Sequence, residues 1–210
     1  MNVLYVHGMG RSPLSGWLML RRLRKVGMST STFGYMVSLE TFDSIVTRLI
    51  ARLVETAETH PYVLVGHSLG GVLIRAALNG LPAGVTHPRH VFLLGSPIKT
   101  SRLAVRLKAN ALFRVATRDC GQLLSSDHRL EAIDRISAPT TAIIGTRGIL
   151  INRGPFAGEL NDGVVSVSEV SAPWIGTQLQ IPVIHAWLPA SALTTDIILR
   201  TAAELESQPP

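Results

Sequence analysis

Cysteine, aromatic residues and long apolar runs are scarce in this chain of 210 residues. The single cysteine, Cys120, excludes an internal disulfide and any zinc site built from several cysteines. Aromatic residues make up 5% and are not interleaved with basic residues, so we expect no nucleic-acid partner. No apolar run reaches the length of about 18 residues that a membrane span needs. The chain enters an apolar strand without a charged leader, which favours a cytoplasmic protein.

Lysine is also scarce, since the basic side chains are 17 arginines and 3 lysines, and the formal net charge is +6. An arginine-rich surface can simply keep a protein in solution. The alternative is that it attracts anionic substrates, and we expect at most weak association with an anionic membrane surface.

Short apolar runs alternate with helical patterns along the whole chain, and this predicts an α/β fold. Strands are expected near 2–6, 31–37, 62–66, 90–95, 140–145 and 180–184. Helices are expected near 14–26, 42–58, 69–79, 101–116, 126–135 and 190–206. Buried strands separated by helices indicate a mostly parallel sheet of about six strands with helices on both faces. The length and a hydrophobic content of 46% predict a single domain over 1–206, followed by a frayed tail over 207–210.

A glycine-flanked serine stands where the third predicted strand meets a helix. Gly66-His67-Ser68-Leu69-Gly70 follows the apolar run 62–65 and opens a pattern with an apolar stripe. A serine on so tight a turn holds its Oγ clear of the backbone, which is the geometry of a nucleophile. The free N–H groups of the helix start favour negative charge at that point. Ser68 is therefore the candidate nucleophile.

A serine hydroxyl needs a base, and the base needs a carboxylate that fixes its tautomer. Active sites of parallel sheets lie at the carboxyl ends of the strands. Among the histidines that follow Ser68, only His185 comes directly after a predicted strand. The candidate carboxylates that lie between the two include Asp119, Asp127, Asp134, Glu159 and Asp162. The spacing favours Asp162, whose place before the last strand suits a loop beside His185, although Asn161-Asp162-Gly163 is also an ordinary turn signal.

Acyl chemistry also needs donors for an oxyanion, usually two backbone N–H groups. The amide of Leu69 is one by position. The loop after the first strand, His7-Gly8-Met9, can turn the amide of Met9 inward as the other.

Taken together, these segments resemble small bacterial α/β-hydrolase-fold serine hydrolases of the lipase and esterase kind. The resemblance covers nearly the whole chain, and five segments carry it: Val6-His7-Gly8-Met9-Gly10, Gly66-His67-Ser68-Leu69-Gly70-Gly71, Leu94-Gly95-Ser96-Pro97, Asp162-Gly163-Val164-Val165-Ser166-Val167 and Ile184-His185-Ala186-Trp187-Leu188. It implies Ser68, His185 and Asp162 as the catalytic triad, and the Met9 and Leu69 amides as the oxyanion hole. Four residues within these segments are expected to contact substrate: His7, His67, Pro97 and Trp187.

The chain departs from the family pattern in two places. Lipase-like relatives often have Gly-Thr-Pro, then a basic or aromatic residue, and then Gly-Ser, whereas Ile98-Lys99-Thr100-Ser101 lacks that second glycine. The first predicted strand already leads into the oxyanion loop, so we expect the two strands that usually precede it in the family to be absent and the sheet to be minimal.

The segment 99–118 holds six basic residues and no acidic one, with apolar residues at helical spacing. It resembles a cap, with the hypothesis that Arg102, Arg106 and Lys108 meet an anionic interface or substrate; the alternative is a conventionally packed helix with a basic outer face.

The leading functional hypothesis is hydrolysis of carboxylic esters through an acyl-enzyme. Acyl transfer, thioester hydrolysis and amide hydrolysis would use the same residues, and a ligand-binding homologue without catalysis is a different class. The mechanism supplies its own base and electrophilic site, so neither a metal nor a cofactor is expected.

Overall fold

A computed structural model describes residues 1–59, 61–150 and 152–207. The strands are β1 (Asn2–Val6), β2 (Ser29–Phe33), β3 (Tyr62–His67), β4 (His90–Leu94), β5 (Thr140–Gly145) and β6 (Thr177–Ile181). The helices are α1 (Trp17–Lys25), α2 (Phe42–Thr59), α3 (Leu69–Asn79), α4 (Arg102–Leu107), α5 (Ala111–Leu124), α6 (Asp127–Glu131), α7 (Val167–Val170) and α8 (Ala192–Ser207). Two 3-10 helices cover Pro13–Gly16 and His185–Ala190.

The six strands form one sheet in the order β2-β1-β3-β4-β5-β6, and every neighbouring pair is parallel. The predicted α/β architecture is thus confirmed, with a sheet that is wholly parallel. The chain runs outward from β1 to β2 and then returns to place β3 on the other side of β1. Ligands bind at such a reversal, outside the carboxyl ends of the strands. The segments that begin at His7 and Ser68 follow β1 and β3, so they lie at this point.

Apolar side chains fill the space on both faces of the sheet. Alternate residues of a strand point to opposite faces, so Leu4 packs with α2 and α3 while Tyr5 packs with α1 and α8. The central strands β3, β4 and β5 are buried along their whole length, as expected for a sheet covered on both sides. This covered sheet is a rigid base for the loops at its carboxyl edge.

Two predicted strands are displaced along the chain. The last strand ends at Ile181 rather than at residue 184, because it lies at the sheet edge and alternates polar and apolar residues. The apolar run after it contains Pro182, which has no N–H to donate. β2 covers Ser29–Phe33 instead of 31–37, also at an edge and with a polar pattern.

The basic segment predicted as one helix over 101–116 is divided. Ser101 caps α4 by accepting a hydrogen bond from the amide of Ala104, and Asn110 caps α5 by accepting one from Phe113. The backbone of α5 is kinked at Arg118 (φ 44°, ψ −129°).

Two sequence predictions concern the chain as a whole. The predicted tail falls largely on 208–210, which are outside the described residues. Across the described ranges, no helix is both long and apolar enough to cross a bilayer.

Candidate active site

Ser68 occupies a strained backbone conformation between β3 and α3. Its φ is 52° and its ψ is −123°, a region that residues other than glycine seldom adopt. Such strain concentrates at functional positions. Gly70 allows the turn, because a Cβ there would lie 2.2 Å from the carbonyl oxygen of Val6. The start of α3 therefore rests directly on the end of β1.

Asp162 and His185 form a buried, directed pair. Oδ2 of Asp162 accepts a hydrogen bond of 2.6 Å from Nδ1 of His185, and Oδ1 accepts one of 2.9 Å from each of the amides of Val164 and Val165. The His185 amide donates in turn to the Asp162 carbonyl at 2.9 Å. Since Nδ1 carries the proton, Nε2 is the basic nitrogen of the ring. Asn161-Asp162-Gly163 does form a turn, and the amides that follow it hold the Asp162 carboxylate in place.

Residues at the end of β4 connect this pair to the serine. The Ser68 amide donates to the Leu94 carbonyl at 2.9 Å. The next residue, Gly95, has a φ of 54°, and a Cβ there would lie 3.0 Å from both Asp162 Oδ2 and His185 Nδ1. Only a residue without a side chain leaves room for the pair. Within the described part of the chain, Ser68 Oγ and His185 Nε2 have no hydrogen-bond partner.

His67 lies inside the protein and contacts the backbone of His185. It is 1% exposed, and its Nε2 donates a 3.0 Å hydrogen bond to the His185 carbonyl. The two rings are 4.8 Å apart. Burial, with the nearby His185, lowers the pKa of His67 well below 6.5, so the ring is neutral. The expected substrate contact does not suit this buried position, where the ring is hydrogen-bonded to the backbone of His185.

The loop after β1 is fixed by His7 and Tyr35. Nδ1 of His7 donates to the Gly8 carbonyl at 2.9 Å, and the ring stacks on Tyr35 with centroids 4.2 Å apart. The Tyr35 hydroxyl donates to the His7 carbonyl at 2.7 Å. With 1% exposure, His7 is also placed to support the loop rather than to meet substrate.

The same loop packs against the turn at Ser68. A Cβ on Gly8 would lie 2.9 Å from Nδ1 of His67 and 3.1 Å from the Cβ of Ser68. Among the described residues, the amides of Met9 and Leu69 donate to no protein acceptor, so both are available to a ligand. Backbone amides without a protein acceptor are the groups that an oxyanion hole uses.

The remaining two expected substrate contacts differ in exposure. Pro97 is buried. Trp187 is 61% exposed and lines a surface cavity of about 460 Å³ together with Ile184 and Arg147. Of the four residues expected to contact substrate, Trp187 is the one that a ligand can reach at the surface.

The start of the predicted cap is tied to the loop that carries Asp162. The Arg102 guanidinium forms an ion pair with Glu159 and donates to Ser166 Oγ at 2.5 Å and to Ser168 Oγ at 3.0 Å. The Arg102 amide donates to Glu169 at 2.5 Å. Arg102 is thus held by protein groups, which does not suit the anion contact suggested for it.

Sequence reasoning overlooked two side chains that shape the site. Tyr35 falls within the strand predicted near 31–37, but in the structure it lies beyond the end of β2 at Phe33. Arg11 donates to the Ala186 carbonyl at 3.0 Å, which joins the loop after β1 to the 3-10 helix of His185. Neither residue belongs to a motif, so only the folded geometry reveals it. Gly95 did carry a signal, since it directly follows a buried strand.

Solved structures of similar fold include a lipase, a thioesterase and a carboxyl esterase. A Bacillus licheniformis lipase, BlEst2 in mature form, superposes with a TM-score of 0.76 at 18% identity, over 95% of this chain and 91% of the lipase. The RedJ thioesterase of Streptomyces coelicolor gives 0.69 at 18% identity over 97% and 90%, and the metagenomic carboxyl esterase MGS0156 gives 0.68 at 18% over 98% and 75%. No protein-family model and no curated protein sequence matches the chain. The chain has the α/β-hydrolase fold, as its motifs predicted.

Proposed function

We propose that this protein is a serine hydrolase that cleaves carboxylic esters, with Ser68, His185 and Asp162 as its triad. The observation that carries the proposal is the strained Ser68 turn joined through Leu94 and Gly95 to a buried Asp162–His185 pair. The lipase and esterase names of the similar structures support it at the level of the fold.

In the proposed reaction, Ser68 Oγ attacks the acyl carbonyl carbon while His185 Nε2 takes the hydroxyl proton. The Met9 and Leu69 amides donate to the oxyanion of the tetrahedral intermediate. Asp162 stabilises the imidazolium through Nδ1. The C–O bond to the alcohol then breaks, and the proton on Nε2 goes to the leaving oxygen. Water, deprotonated by His185, attacks the acyl-enzyme, and the carboxylic acid leaves as Ser68 regains its proton.

Apolar side chains exposed in the segments that follow β1, β2 and β6 suit an apolar acyl group. They include Leu14 at 77%, Met36 at 55%, Ile184 at 40% and Trp187 at 61% exposure. Burial of such surface stabilises a complex by about 25 cal/mol per Å² of apolar area removed from water. We therefore expect activity to rise with acyl length over a short series of p-nitrophenyl esters.

The test is covalent labelling with a fluorophosphonate probe, which reacts with activated serines. Wild-type protein should be labelled, and Ser68→Ala and His185→Ala should not, whereas Ser44→Ala and His87→Ala at exposed positions should react normally. Turnover of ester, thioester and amide substrates with a common acyl group then separates the alternatives, and addition of an alcohol acceptor detects acyl transfer. A folded wild-type protein that resists labelling would contradict the proposal and favour a ligand-binding role.

A further inference from the structure

A surface groove runs along one face of α5, outside the residues of the proposed triad. The lining residues begin in the loop before α5 and continue at helical spacing: Lys108, Ala109, Ala111, Arg114, Val115, Arg118 and Gln122. We call this the α5 groove, and its volume is about 810 Å³. This volume can hold an organic ligand and is much larger than a small ion needs.

The cations of the α5 groove have no carboxylate partner. Lys108, Arg114 and Arg118 form no ion pair with any residue in the described ranges. The nearest carboxylate in sequence, Asp119, is held elsewhere, because it accepts hydrogen bonds from the Phe42 amide and from Arg129. The positive charge of the groove is therefore uncompensated by the protein.

Arg118 also occupies a backbone conformation that favours glycine. Its φ of 44° and ψ of −129° are close to those of Ser68, and they kink α5 at this point. A glycine would adopt this conformation without steric cost. Strained residues of this kind cluster where the side chain is used, and here the side chain is a guanidinium that lines the groove.

Gln122, which also lines the groove, has an unsatisfied donor. Its Nε2 is buried and has no hydrogen-bond partner in the described structure. Buried amide nitrogens in folded proteins are normally paired. The groove therefore presents an ammonium and two guanidinium groups beside the apolar side chains of Ala111 and Val115, and one of its lining residues carries a buried, unpaired amide nitrogen.

We propose that the α5 groove binds the phosphate group of an organic phosphate. Phosphate oxygens accept several charge-assisted hydrogen bonds at once, and guanidinium groups bind them in bidentate geometry. The apolar side chains would contact the organic part. This site is independent of the proposed hydrolysis, because none of its residues belongs to the triad or the oxyanion hole.

The experiment is isothermal titration calorimetry on Ser68→Ala protein, which prevents turnover of any ester. The probes are glycerol 3-phosphate, dihexanoyl phosphatidylglycerol below its critical micelle concentration, and dihexanoylglycerol as the lipid without a phosphate group. Saturable binding of glycerol 3-phosphate supports a site for soluble phosphate esters. Binding of phosphatidylglycerol alone supports a lipid headgroup as the source. Equal binding of the two lipids, or no saturable binding, overturns the proposal.

Two variants assign the binding to the groove. Arg118→Gly removes the cation and relieves the backbone strain, so it should raise the Tm while weakening probe binding about tenfold. Arg114→Gln should weaken binding to a similar extent. The control, Arg22→Gln with Arg24→Gln, removes two exposed charges from α1 on the other face of the sheet and should bind normally. Unchanged affinity in both groove variants would overturn the assignment.

Discussion

The two ring nitrogens of His67 have different surroundings. Nε2 donates to the His185 carbonyl, and Nδ1 is buried without a partner in the described structure. We expect His67→Phe to slow fluorophosphonate labelling about five- to tenfold, because the loss of one hydrogen bond to a buried carbonyl costs about 1 kcal/mol or more. The labelling rate constant measures this effect.

His67→Gln is the matched variant, since its amide nitrogen can replace Nε2 as the donor. It should retain most of the labelling rate. If the Phe and Gln variants react equally fast, the hydrogen bond to the His185 carbonyl has no role in positioning the base.

Asp162 is expected to set the tautomer of His185. In Asp162→Asn, an amide can replace the carboxylate and donate to Nδ1, which would move the ring proton to Nε2 and leave no base facing Ser68. We expect kcat for ester hydrolysis to fall on the order of 10³- to 10⁴-fold, with KM little changed. Asp134→Asn, at an exposed position that the sequence left open as the acid, should behave like wild type. Equal rates for the two variants would remove Asp162 from the triad.

At the level of elements, the contact between α3 and β1 leaves no space for a methyl group at Gly70. In Gly70→Ala, the new Cβ would lie 2.2 Å from the Val6 carbonyl oxygen and 2.5 Å from that of His7. We expect the variant to lose about 1–3 kcal/mol in the free energy of unfolding, because α3 must move away from the strand. Chemical denaturation measures the change.

Gly176→Ala is the control for this prediction. The nearest atom to its added Cβ is the Thr140 carbonyl oxygen at 3.8 Å, an ordinary contact. Its stability should stay within about 0.5 kcal/mol of wild type. A Gly70 variant as stable as this control would show that the helix start can shift at little cost.

The elements that the sequence predicted well are those with strong local signals. The apolar run that leads into Gly66-His67-Ser68 predicts both the third strand and the turn. The prediction succeeds because the packing of this segment in the fold agrees with the conformation that its local sequence prefers. The predicted bounds of the two edge strands are displaced from the observed ones. A half-exposed strand such as Thr177–Ile181 alternates polar and apolar residues and lacks a continuous apolar run. The roles of Tyr35 and Arg11 depend on long-range contacts to the loops of His7 and His185, which no local pattern encodes.

For the whole molecule, buried histidines should make stability depend on pH. Burial lowers the pKa of His7, His67 and His90, in the last case to about 4. Each folded-state pKa lies below the unfolded value near 6.5, so the unfolded chain binds more protons as the pH falls through this window. The free energy of unfolding should therefore be largest above about pH 6.5 and decrease below it. His90 alone accounts for about 2 kcal/mol between about pH 7 and pH 5.

Urea denaturation across this pH range tests the effect. His90→Gln should flatten the decrease, because its side chain does not titrate. His87→Gln, at an exposed position, should leave the curve of the wild type unchanged. A His90 variant with the wild-type slope would show that this ring does not govern the acid sensitivity.

The packing of α1 against α8 constrains the order in which the molecule can form. Met19 and Leu23 of α1 share a core with Ile197 and Ile198 of α8. On the ribosome, α1 is made early and α8 only after all six strands. One face of the sheet must therefore stay partly uncovered during most of synthesis, when exposed apolar surface favours aggregation. Chaperone capture of nascent chains should persist until α8 has emerged.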